Sequence, residues 1–133
     1  MTALWLAVSL IAIWPFSSGR DYHMTAASVV PAASGTVHVQ KNKDNGNMKL
    51  DIKVHHLAHP STLTPSESAY IVWIRPNGGE AVKQAAIGVD DNLNGELKVE
   101  TASKNFVLFI TAEQSESVAV PSGVEVLKTH VGP

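Results

Sequence analysis

The chain has 133 residues, a formal net charge of −2 and no cysteine. The missing cysteine excludes disulfides, thiolate metal sites and cysteine nucleophiles. Its 10 Lys and Arg are spread without a cluster, which argues against nucleic acid as a partner.

Residues 3–16 form an uncharged apolar run, Ala-Leu-Trp-Leu-Ala-Val-Ser-Leu-Ile-Ala-Ile-Trp-Pro-Phe. A membrane span needs about 20 apolar residues, so the run has the length of a signal-peptide h-region instead. Pro15 stops any helix there. Ser17-Ser18-Gly19 supplies small residues for a cut before Arg20. No Lys or Arg precedes the run, so residues 1–19 are read as a signal peptide or a short membrane anchor, with residues 3–16 as the anchoring stretch. A buried core helix is the competing reading, but nothing amphipathic follows for it to pack on. The expected location is extracytoplasmic: periplasmic, secreted or membrane-anchored. What remains after the leader is one domain's worth of chain, about 110 residues.

Residues 20–35 are expected to be a linker or an edge strand, with a first strand near Tyr22 to Ala26. Thr36 to Gln40 alternates, with Val37 and Val39 on one face. Met48 to Val54 alternates more cleanly: Met48, Leu50, Ile52 and Val54 face inward while Lys49, Asp51 and Lys53 face water. Asn45 and Gly46 lie between these runs, and Asn-Gly tolerates the positive φ of a tight turn. Residues 36–54 are therefore predicted to be a hairpin. Residues 57–68, with Pro60 and Pro65, read as a loop crossing between sheets.

Tyr70 to Ile74 is apolar on both faces, which predicts a central strand. Ala81 to Val89 is a weaker strand. Asn94 and Gly95 are predicted at the tip of a second turn, and Leu97 and Val99 face inward on the strand after it. Phe106 to Ala112 is a second doubly buried strand. Residues 113–117 read as loop, and Val118 to Val120 and Val124 to Leu127 as a closing pair of short segments. The structural core is assigned to Tyr70, Val72, Trp73, Ile74, Leu108 and Ile110. Seven or eight short strands at this spacing imply an all-β antiparallel two-sheet sandwich, Ig-like, over residues 36–128, with 129–133 as a tail.

From Tyr70 onward a family resemblance is visible. "AYIVWIRPNGG", "AAIGVDDNLNGELKV" and "FVLFITAEQSESVAVPSGVEVL" resemble the extracytoplasmic C-terminal domain of anti-sigma-K-type factors. Tyr70 and Trp73, Gly88, Asp91 to Gly95, Thr111 to Glu113, and Pro121 with Gly123 follow the order typical of that domain. The stretch from Val29 to Pro65 is similar to small stand-alone exported proteins of unknown function that share the module. The resemblance spans residues 22–128 and implies a sensing or envelope-associated outer domain. A cytoplasmic sigma-binding domain is not expected here, so direct transcriptional control is not implied.

Two clusters are candidates for chemistry. His55, His56 and His59 carry imidazoles that suit Zn, Cu or Ni. If the strand continues, His55 and His56 point to opposite faces, which favours exposed strand-end histidines over a metal site. Asp90, Asn92 and Asn94 match the first half of a calcium loop, but Thr101 stands where the bidentate carboxylate belongs, which favours a polar turn. Ser122 lacks the first Gly of a nucleophile elbow, and Phe106 and Phe109 read as packing on opposite faces. The expectation is a domain that is not an enzyme, takes no cofactor, and binds an unidentified protein or envelope component through the loops Leu57–Ser68 and Asp90–Gly95. The alternatives are a periplasmic metal-binding protein using the histidines, and a structural, self-assembling envelope protein pairing through edge strands.

Overall fold

The computed structural model describes residues 19–133, so the apolar run 3–16 and the question of a leader lie outside the described residues. Among the described residues there are eight strands: β1 Arg20–Ala26, β2 Ser34–Lys41, β3 Met48–His55, β4 Ala69–Pro76, β5 Val82–Ile87, β6 Gly95–Thr101, β7 Phe106–Glu113 and β8 Val124–Val131. They lie in the order β5-β4-β7-β8-β1-β2-β3-β6, and every pairing is antiparallel. The protein is all-β and antiparallel, with a nearly closed sheet.

Strand β1 joins the two layers. Residues Arg20 to Met24 pair with β2, and Thr25 and Ala26 then pair with β8. One layer is therefore β1-β2-β3-β6 and the other β5-β4-β7-β8, with β1 crossing between them as corner strands do. The segment Arg20–Ala26 is a strand, but an interior one. Its interior place could not be read from residues 20–35, because the second partner, β8, lies about a hundred residues further along the chain. Strand β8 likewise runs on to Val131, past the expected boundary at 128.

Alternation sets the core. Val37 and Val39 of β2 and Leu50, Ile52 and Val54 of β3 meet Tyr70, Val72 and Ile74 of β4 and Phe106, Leu108 and Ile110 of β7 between the layers. The predicted β2–β3 hairpin is present, with Val37 opposite Ile52 and Val39 opposite Leu50. Its turn runs from Asn42 to Asn47, and Gly46 takes the positive φ, 77°.

Trp73 is fully buried, but not between the layers. Odd residues of β4 face the other way, and Trp73 joins Ala69, Ile71 and Phe109 in a second cluster on the outside of the β5-β4-β7-β8 layer. Ala81, Ala86, Val107 and Val118 pack against this cluster, and the Arg75 guanidinium lies 4.6 Å from the Phe109 ring centre. The doubly apolar patterns of β4 and β7 reflect two cores, one on each face. Val118 to Val120 forms no strand and belongs to the segment between β7 and β8.

Candidate functional site at the loop-bearing end

Because neighbouring strands alternate in direction, the connections sort to two ends. Residues 42–47, 77–81 and 102–105 lie at one end, and 27–33, 56–68, 88–94 and 114–123 at the other. The second end carries the longer connections and both sequence-predicted clusters.

The loop 56–68 starts with His56 in a left-handed conformation (φ 54°), which turns the chain out of β3. Leu57 then plugs the core with no exposed surface. The Tyr70 hydroxyl donates to the Ala58 carbonyl at 2.5 Å, and burial pushes the Tyr70 phenol up to about 12. His59 precedes a short 3-10 turn, Pro60–Thr62, and its carbonyl accepts from the Thr62 hydroxyl at 2.7 Å.

The loop 88–94 is built around Asp90. Its Oδ1 accepts from the backbone N–H of Asn92 at 2.8 Å and of Asn94 at 3.0 Å. Leu93 takes the left-handed position (φ 65°). Gly95 is therefore not the turn tip that Asn94-Gly95 suggested; it opens β6. It serves close approach instead, since a Cβ there would collide with the Gly88 carbonyl and press on Val54.

The two loops are joined. The Leu57 N–H donates to the Leu93 carbonyl at 3.1 Å, and His55 Nδ1 donates to Asn94 Oδ1 at 3.0 Å. An amide oxygen only accepts, so His55 Nδ1 is the donor of this bond. Beside this bond, between the end of β3, the start of β6 and the loop 88–94, is an open cleft of about 510 Å³ lined by Lys53, His55, Val89, Asp90, Asn94 and Glu96. The structure thus brings His55, Asp90 and Asn94 together from two separate sequence clusters. It leaves His56 and Asn92 on the exposed rim and His59 at the start of the 3-10 turn. Among the described residues, no three His, Cys, Asp or Glu side chains converge as a group able to hold a metal ion.

A buried polar chain at the same end fixes the segment 114–123. Trp73 Nε1 donates to Thr111 Oγ1 at 2.8 Å, and the Thr111 hydroxyl donates to Glu113 Oε2 at 2.5 Å. The Ser122 N–H and hydroxyl donate to the same carboxylate at 3.1 and 2.9 Å, and the Gly123 N–H adds a further hydrogen bond. Burial raises the Glu113 pKa, but the donors from Thr111, Gly123 and Ser122 outweigh it and hold the pKa below the ordinary value. Gly123 is required because a Cβ would strike the Ala112 carbonyl. Sequence reasoning placed Glu113 in a polar loop. The available signal was the i, i+2 spacing of Thr111 and Glu113, which puts both on the Trp73 face of β7. Ser122 is held as a donor to Glu113, not as a free nucleophile.

No known protein family and no curated protein matches the chain.

Proposed function

We propose that the chain is a non-catalytic extracytoplasmic recognition module, whose loop-bearing end binds a protein or another envelope component. Its role then parallels that of the outer domain of the anti-sigma-K-type factors it resembles. The observation that carries this reading is the fixing of loop 88–94, to loop 56–68 through Leu57–Leu93 and to the end of β3 through His55–Asn94. Loops fixed in place bind at low ordering cost, because the entropy of holding them is spent in folding. The cleft and its rim mix cationic, anionic and amide groups, which suits a polar, hydrogen-bonding surface.

The test is photo-crosslinking of the full chain in its producing cell. A crosslinking amino acid is placed at His56 or Asn92 on the rim, or at Lys43 in the hairpin at the opposite end. A discrete adduct from positions 56 and 92, absent at 43, supports the reading. Equal labelling at all three positions, or none at any, removes it. N-terminal sequencing of the exported protein tests the location: a new terminus near Arg20 in the extracytoplasmic fraction agrees, and an intact cytoplasmic chain does not.

A further inference from the structure

The two terminal strands of the sheet are β5 and β6, and they are protected very differently. Strand β5 is paired with an irregularity opposite Val72 and Trp73. Lys83 Nζ reaches across to the Glu116 carbonyl, and the Gln84 amide folds back on the Val82 carbonyl. Bulges and tethered side chains of this kind blunt an edge. Strand β6 has no such irregularity. It pairs with β3 without interruption from Gly95 to Thr101, and its outer edge has no strand partner.

The outer face beside that edge is ordered by charge. Asp21, His38, Asp51 and Lys98 stand directly opposite one another across β1, β2, β3 and β6. The neighbouring row on one side places Gln40, Lys49 and Glu100 in line, and the row on the other side Lys53 beside Glu96. Asp21 already bonds His38 at 2.6 Å. Lys98 makes no ion pair among the described residues. Glu100 is held as a carboxylate by the side-chain amides of Asn42, Asn45 and Asn47, and its pKa is lowered chiefly by Asn45, then Asn47 and Asn42.

We propose that β6 is the docking edge for a second copy of this chain, paired antiparallel about a dyad through Val99. In that register Lys98 of each copy stands opposite Glu100 of the other. The rows then read Asp51, Lys98, Glu100, Lys49 across the junction, alternating in sign throughout. Opposite charges directly across an antiparallel pair stabilise it, and like charges oppose it. A dyad on Lys98 sets Lys98 against itself and Glu96 against Glu100, so it is disfavoured. A dyad on Leu97 also pairs opposite charges, Glu96 with Lys98. It uses the end of β6 where Gly88 crowds Gly95, whereas the Val99 register is centred further from that crowding. On the inner side the same register brings together the half-buried Val99 of both copies and sets Leu97 opposite Thr101. A single edge pairing is a small isologous contact, so the dimer is weak and concentration-dependent.

The cysteine-free chain makes the register directly testable. Val99→Cys, Leu97→Cys and Val82→Cys are each oxidised at high protein concentration, and sedimentation velocity is run on the wild-type protein in parallel. A concentration-dependent dimer, with disulfide-linked dimer from V99C and little from L97C or V82C, is expected. Lys98→Glu sets two carboxylates opposite each other at both ends of the pairing and should weaken the dimer on the order of ten-fold. The double exchange Lys98→Glu with Glu100→Lys should restore it. A wild-type protein that stays monomeric, a V82C crosslink as strong as that of V99C, preferential crosslinking of L97C, or a charge exchange that fails to restore a dimer lost in K98E would each overturn the proposal. Circular dichroism of every variant separates loss of pairing from loss of fold. None of these readouts depends on the loop-bearing end, so this proposal can fail while the recognition reading stands.

Discussion

Glu113→Gln isolates the charge in the buried chain that ties the β7–β8 segment to the sheet. Glutamine keeps the shape and leaves one acceptor oxygen. The Ser122 hydroxyl can rotate to accept from the new amide, so the amide nitrogen belongs at the Oε1 position, and the remaining oxygen keeps Thr111 and the Ser122 N–H. What is lost is the charge assistance to a carboxylate with four donors. Hydrogen bonds to charged groups contribute roughly 1.5–3 kcal/mol each and neutral ones about 1. A net loss of about 2 kcal/mol follows, which lowers the melting temperature by on the order of 10 °C for a domain of this size. The pH dependence fixes the sign. The folded Glu113 pKa lies below its unfolded value, so its contribution is complete above the ordinary 4.5 and is lost as pH falls through the folded pKa. Urea unfolding of wild type and E113Q at pH 7 and at pH 3 measures this. The gap should be near 2 kcal/mol at pH 7 and should shrink at pH 3. A gap below about 0.5 kcal/mol at pH 7, or one that does not narrow on acidification, would refute the account of a charged, donor-saturated Glu113.

Three further outcomes are expected. Tyr70→Phe removes the donor to the Ala58 carbonyl and should cost about 1 kcal/mol by thermal melting. In wild type, absorbance titration should show a phenol ionising near 12, with stability falling as pH rises past the ordinary value of 10 toward it. Gly95→Ala should destabilise by more than about 2 kcal/mol, because its Cβ meets the Gly88 carbonyl, while Gly88→Ala, whose Cβ meets nothing within 4 Å, should stay within about 0.5 kcal/mol. Leu57→Ala should cost about 2–4 kcal/mol, and hydrogen exchange at the Leu57 amide should accelerate as the plug holding loop 56–68 is lost.

Local pattern explains why some of this architecture was readable from residues alone. The β2–β3 hairpin announces itself because Asn45-Gly46 and the alternation from Met48 to Val54 act within one short stretch. The doubly apolar β4 and β7 are equally plain. Their meaning was not, since an apolar outer face says nothing about what covers it, and here Val118 and Ala81 do so from distant loops. The interior place of β1 depends on β2 and β8 together, which no local window contains. Asn94-Gly95 misled for a steric reason: the turn's strain falls on Leu93, supported by Asp90, and the glycine answers to a carbonyl across the seam. His55 and Asp90 were each singled out, but their meeting in one cleft needed the fold. Trp73, Thr111, Glu113 and Gly123 all belong to the ordered residues of the family resemblance, and in space they form a single bonded chain.

The direction of β1 and β8 carries a consequence for how the domain presents itself. Arg20 lies opposite Val39, and Val131 opposite Phe106, so the polypeptide enters and leaves at the 42–47 hairpin end. Any tether or tag attached ahead of Arg20 therefore joins the described domain at that end. The His55–Asn94 cleft is held at the far tip, a strand's length from the point where the chain enters.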